Sequence, residues 1–223
     1  MLPAIITCFL LTRCINNRNK KLYSLIVFFH AGTLIINLLF SQLDYALKQT
    51  NIWIMSSSVL CGMMLCTAID SSFKKQANEY AQHGKMFFFN IAVCTLVHGI
   101  SIGIGVERIE NSGYIFLIAM LFIELPKYLS LTLTLLCSFR QRVYAYTCLF
   151  IIPVLFYIAI FTGSYFGHIN RVLFSVIKGI SGGVMLYTVF GALIPAALKR
   201  HFGKSSVFAV VSGIITAIIY FTF

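Results

Sequence analysis

Acidic side chains are nearly missing from this chain: 6 Asp and Glu stand against 17 Lys and Arg in 223 residues. A core so poor in carboxylates makes a poor proton relay and offers no paired intramembrane acids for general acid–base work. Tryptophan occurs once, and charged residues make up only 10% of the chain. Soluble domains carry about a quarter charged residues, so that class is excluded. The 7 cysteines are an odd number without a CxxC pair, which argues against a disulfide framework and against a thiol relay. They read instead as small buried hydrophobes. No HExxH motif and no paired intramembrane carboxylates occur, and no enzymatic activity is expected. With no long linker or low-complexity tract, residues 1–223 read as a single membrane domain.

What the chain has is hydrophobic length. Hydrophobic residues make up 59% of it, and the mean hydropathy is +0.90. These values define an all-α integral membrane protein. Runs of about 20 apolar residues, enough to cross a bilayer, fall at 23–47, 51–69, 86–106, 114–138, 143–163, 176–198 and 205–223. A shorter run at 1–12 is followed, not preceded, by Arg13, Arg18, Lys20 and Lys21. A cleavable signal peptide has the reverse order of charge, so 1–12 reads as a short first span of an eight-helix bundle.

Basic residues set the orientation, because cytoplasmic loops hold the excess of Lys and Arg. The odd-numbered loops carry Arg13, Arg18, Lys20, Lys21, Lys74, Lys75, Lys85, Arg140, Arg142, Lys199, Arg200 and Lys204, which is twelve of the 17. Both termini are therefore expected outside the cytoplasm. The net charge of +11 needs no nucleic acid, since the charges are spread over short loops facing anionic lipid. The expected partner is the lipid bilayer of a plasma membrane or an endomembrane, with a homo-oligomer left open.

Three ionisable side chains, His98, Glu124 and Lys127, lie within two consecutive spans. Charges at that depth cost about 2.5–3.5 kcal/mol even on an insertion scale, so they mark a partner, a cavity or a transport path. Cys94 precedes His98 by one helical turn and shares its face. His30, His83, His168 and His201 are read as lying near span ends and loops, in interfacial roles. Gly99 with Gly103, and Gly179 with Gly183 and Gly182 between them, form small-residue faces that let helices approach. Pro126, Pro153 and Pro195 each remove a backbone donor inside a span. Packing alone accounts for each of these glycines and prolines taken singly.

Taken in order, the segments resemble the ZIP family of divalent-metal transporters. His98-Gly99-Ile100-Ser101-Ile102-Gly103 is similar to that family's fourth-helix motif of His, Asn, two variable residues, an acid and Gly. Ile123-Glu124-Leu125-Pro126-Lys127 resembles its His-Glu-Ile-Pro-Glu motif. Gly182-Gly183-Val184-Met185-Leu186-Tyr187, with Pro195 beyond, looks like its seventh-helix segment, and Ala31-Gly32 echoes a glycine pair of its second helix. The resemblance implies eight helices, both termini outside, and a mid-membrane site for zinc, iron or manganese as the transported substrate.

Carried over residue by residue, His98 and Glu124 keep ligand positions, with Cys94 as a weak addition. Gly99 replaces the Asn, Ile102 the fourth-helix acid, Ile123 the fifth-helix His and Lys127 the acid after Pro. At about 4 Å a divalent ion and a protonated lysine repel by several kcal/mol. Glu124 and Lys127 are three apart on one helix, and an ion pair between them would take the place of bound metal. Two functions stay open: a ZIP-like transporter with a degenerate site, and a transport-inactive ZIP-like scaffold or partner subunit.

Overall fold

The computed structural model describes residues 20–74, 79–106, 113–138, 142–165 and 171–222, and every regular element among them is helical. Lipid cannot hydrogen-bond to a backbone, so an apolar segment of this length satisfies its own N–H and C=O groups by coiling. The elements are α1 (Lys20–Asn37), a π-helical stretch Leu38–Leu43, α2 (Asp44–Gln49), α3 (Ile52–Lys74), α4 (Glu79–Val106), α5 (Gly113–Ser138) and α6 (Arg142–Tyr165). They continue with α7 (Arg171–Leu186), a second π-helical stretch Tyr187–Leu193, α8 (Ile194–Leu198) and α9 (Lys204–Thr222).

Each of the seven long spans expected between 23 and 223 falls on one of these helical stretches. Four stretches among the described residues, Lys20–Phe40, Ile52–Ser72, Val143–Tyr165 and Val172–Leu198, are long and apolar enough to cross a membrane. Gly84–Ile100 and Lys204–Ile219 are shorter apolar stretches. The expected first span at 1–12 lies outside the described residues. The polar segment 70–85, read from the sequence as a loop, is helical through Lys74 and again from Glu79. Lys, Gln, Glu and Ala are good helix formers, so the helices extend beyond the apolar stretch into the interface.

The long helices pair in a nested order: α1 with α9, α3 with α7 and α4 with α6, leaving α5 in the middle. Glycines make each crossing. A Cβ on Gly62 of α3 would overlap the carbonyl oxygen of Ile180 on α7, and one on Gly183 would overlap that of Val59. Gly32 and Gly213 stand in the same reciprocal relation across α1 and α9, and Gly103 and Gly163 across α4 and α6. In every pair the partners run the same way: Gly99 faces Phe156 and Ala159, whereas Gly103, one turn on, faces Ile160 and Ser164. Backbones that touch without side chains between them gain dispersion and Cα–H···O contacts, the forces left to helix association in lipid.

Enclosure of α5 follows from that pairing. Lys127, Tyr128, Ser130, Leu131, Thr132, Leu133, Thr134 and Leu135 are all buried, so this helix meets protein on every side along its second half. Trp53, Met64, Val143, Phe161 and Phe208 are exposed on other helices and give the bundle an apolar outer surface.

The two π stretches continue α1, which pairs with α9, and α7, which pairs with α3. At their ends, the N–H of Asp44 reaches the carbonyl of Leu39 and that of Ile194 the carbonyl of Val189, one residue beyond the α-helical partner. Pro195 explains the second stretch: it has no N–H to give and its ring crowds the carbonyl four residues back, which the wider π turn relieves.

Adding one methyl at a crossing forces the helices apart. Gly62→Ala and Gly183→Ala should each cost about 1–3 kcal/mol, as overpacking does. At Gly203 the nearest atom to a new Cβ would be His201 Nε2 at 3.5 Å, so Gly203→Ala should cost little. Thermal unfolding in detergent separates the two, and equal losses at all three positions would contradict these crossings.

Candidate functional site

A small pocket opens between four helices. α1 contributes His30, Thr33, Leu34 and Asn37, spaced so that one helical face presents them together. α4 contributes Cys94 and His98, one turn apart, α5 contributes Lys127, and α7 contributes Met185. These are the helices of the expected second, fourth, fifth and seventh spans. The pocket holds about 10 Å³ of free volume, room for one particle the size of a water molecule.

Measured along the helices, the pocket lies far from the nearer helix ends. His30 is ten residues into α1 and Lys127 eleven from the end of α5, each a distance of about 15 Å at the helical rise. That is half of a hydrocarbon core of about 30 Å.

His30 is the best-anchored group in the pocket, with 1% of its surface exposed. Its Nδ1 makes a short hydrogen bond with the Ser130 hydroxyl on α5. Ser130 Oγ also donates to the carbonyl oxygen of Lys127 at 3.0 Å, so this hydroxyl ties the His30 ring to the backbone of α5. Thr33 donates to the His30 carbonyl at 2.8 Å, which keeps its hydroxyl on the same turn. Phe87 packs edge-on against the His30 ring and Phe156 edge-on against the His98 ring, with centroids 6.3 and 6.4 Å apart.

Lys127 is 5% exposed, and its ammonium lies 5.7 Å from the centre of the Tyr128 ring. Among the described residues no carboxylate lines the pocket. The side chains of Glu124 and Ile123 lie outside the described residues, and with them the Glu124–Lys127 pair. No three of His, Cys, Asp and Glu converge to hold a metal ion among the described residues.

Other residues singled out in the sequence have structural positions. Gly99 and Gly103 pack against α6, and Gly179 and Gly183 against α3. Gly182 faces Leu38, Gln42 and Leu43 of the first π stretch. Ile102 is half-buried and outside the pocket lining, Pro126 is half-buried within α5, and Pro195 begins α8. His30 corrects the sequence reading, which placed it at a span end in an interfacial role. Its signal was present: His30, Thr33 and Asn37 form a polar stripe at helical spacing inside an apolar run.

A second set of polar groups lies beside the pocket. The Tyr187 hydroxyl donates to Asp70 at 3.0 Å, and the Cys66 thiol donates to Asn90 Oδ1 at 3.5 Å. Both amide atoms of the fully buried Gln42, together with Ser181 Oγ, Thr95 Oγ1 and Asn90 Nδ2, make no hydrogen bond within the described protein. Each such atom costs about 1–3 kcal/mol unless water or a solute satisfies it. The interior between these helices is therefore more polar than bundle packing requires.

Comparison with protein-family models, with curated proteins and with solved structures returned no match. Fold and site together define the class as a multi-pass helical membrane protein with a polar pocket among its helices.

Removing the Ser130 hydroxyl takes a buried hydrogen-bond partner from His30 Nδ1. Ser130→Ala should cost about 1–3 kcal/mol in thermal unfolding, and Ser130→Thr, which keeps the hydroxyl, distinctly less. An alanine variant as stable as the native chain would show that the His30 bond is not formed.

Proposed function

We propose that this chain is a ZIP-like membrane transporter with eight helices and extracytoplasmic termini, moving a metal cation through the pocket between α1, α4, α5 and α7. One observation carries this reading: ionisable and polar side chains from α1, α4 and α5, with Met185 of α7, line one pocket about 15 Å along the helices, and two of those four helices, α1 and α7, run into π stretches. Buried polar groups at that depth are costly and mark transport paths, and helices with broken hydrogen-bond ladders are where transporters hold their cargo. The motif order around His98, Glu124 and Gly182 supports the family assignment.

The divalent site of that family is degenerate here. Lys127 stands where the motif has an acid, and pairing with Glu124 balances the charge of the core in place of bound metal. A transport-inactive scaffold or partner subunit is the second reading. The small volume of the pocket and the three glycine-tight pairs favour it, because both oppose movement.

Flux into proteoliposomes carrying an internal metal indicator separates the two. The native chain should move a cation, and Asn37→Leu and His98→Leu should lose flux while unfolding near the native temperature. No flux of zinc, iron or manganese would support the scaffold. In the same preparations, Ile102→Glu combined with Lys127→Glu should gain zinc-dependent thermal stabilisation over the native chain, since a ligand that binds only the folded state raises its stability. Absence of that gain would count against the family resemblance.

A further inference from the structure

The end of the bundle where α1 begins, α5 ends and α8 turns into α9 collects positive charge from distant parts of the chain. Lys20 and Lys21 open α1, and Lys199, Arg200 and Lys204 lie on the turn from α8 into α9. The Ser24 hydroxyl reaches the carbonyl oxygens of Ala197 at 3.1 Å and His201 at 2.6 Å, which ties that turn to the first helix. Lys20 precedes Ser24 by one helical turn on the same face, so it stands beside the turn as well.

Arg200 is held in place within this cluster. Its guanidinium carbon lies 3.9 Å from the centre of the Tyr23 ring, and the group donates to Cys137 Sγ at 3.4 Å. Tyr23 is itself buried and fixed, because its hydroxyl hydrogen-bonds with Thr134 of α5 at 3.2 Å. Among the described residues no carboxylate reaches Arg200, and Cys137 takes a single N–H of the five that a guanidinium carries. The surface next to it is apolar: Phe202, which packs edge-on against Phe28, and Phe208 near the start of α9 are both largely exposed.

We infer that this end of the bundle is a binding site for the headgroup of an anionic phospholipid, with Arg200 on the phosphate, Lys20 and Lys204 adding charge around it, and Phe202 against the acyl chain. A planar guanidinium matches phosphate oxygens two at a time, and stacking on a ring leaves its N–H edge available for them. Inorganic phosphate shares the charge but makes no use of the exposed aromatic rings, which favours the lipid. The excess of basic residues in the odd-numbered loops assigns this end to the cytoplasmic face, where anionic lipids concentrate. A lipid held here bridges α1, α5 and α9, and it does so whether or not the chain transports a cation.

The test titrates the purified full-length protein in detergent with dioctanoyl phosphatidylglycerol and, separately, with dioctanoyl phosphatidylcholine, reading the unfolding temperature and the lipid retained in native mass spectra. Phosphatidylglycerol should raise the unfolding temperature with concentration and stay bound, and phosphatidylcholine should do neither. Arg200→Gln should weaken the binding by about tenfold or more. Lys20→Gln and Lys204→Gln should each weaken it by about fivefold, and as exposed positions they should unfold like the native chain when lipid is absent. Arg200→Lys should recover only part of the affinity, since it keeps the charge and loses the planar fork. Lys48→Gln, at the opposite end of the first helical stretch and paired with Asp44, should leave binding unchanged. The inference is overturned if the two lipids bind alike, or if Lys48→Gln weakens binding as much as Lys20→Gln and Lys204→Gln. Stabilisation by soluble glycerol phosphate equal to that by phosphatidylglycerol would overturn it too, by making the ligand a free phosphate.

Discussion

Backbone contact at glycines is the constraint on which the arrangement depends, because in lipid two apolar helix faces gain little by meeting each other instead of hydrocarbon. Gly62 and Gly183, Gly32 and Gly213, and Gly103 and Gly163 let carbonyl oxygens sit where a Cβ would be. The three parallel pairs they make are nested, and nesting leaves α5 with protein on all sides over its second half. Only in that enclosed position can a helix carry Lys127, Ser130, Thr132 and Thr134 together without exposing them to lipid.

The chemistry of the interior follows from the same enclosure. Polar groups that cannot reach water turn to each other, as Ser130 does to His30 and to the carbonyl of Lys127, and Tyr187 to Asp70. Where partners run short, as at Gln42 and Ser181, the residual hydrogen-bonding capacity is an opening for water or solute. The π stretches lie next to these groups, in the helices whose partners are α9 and α3. A wider helical turn carries an extra residue, and in α1 that stretch holds Gln42.

Hydropathy made the long spans legible, since a bilayer dictates their length and composition directly. Gly99, Gly103, Gly179 and Gly183 were legible because two small residues four apart on one helix are a local pattern. Gly62, Gly163 and Gly213 were not, as each stands alone on its own helix and its match lies on another helix far along the chain. His30 was misread because depth was judged from the edge of an apolar run, when the charged end of the helix at Lys20 gives the better origin. The first π stretch has no proline and no sequence mark. The second is marked by Pro195, which the sequence shows and whose consequence only the backbone reveals.

The transporter reading requires that the pocket among α1, α4, α5 and α7 communicate with water, and thiol labelling measures this most directly. In vesicles treated with a membrane-impermeant alkylating reagent, the account predicts that the peptide bearing Cys94 is modified well before the one bearing Cys66, which is equally buried but lies off the pocket. Equal resistance of both cysteines from both sides of the membrane would contradict it.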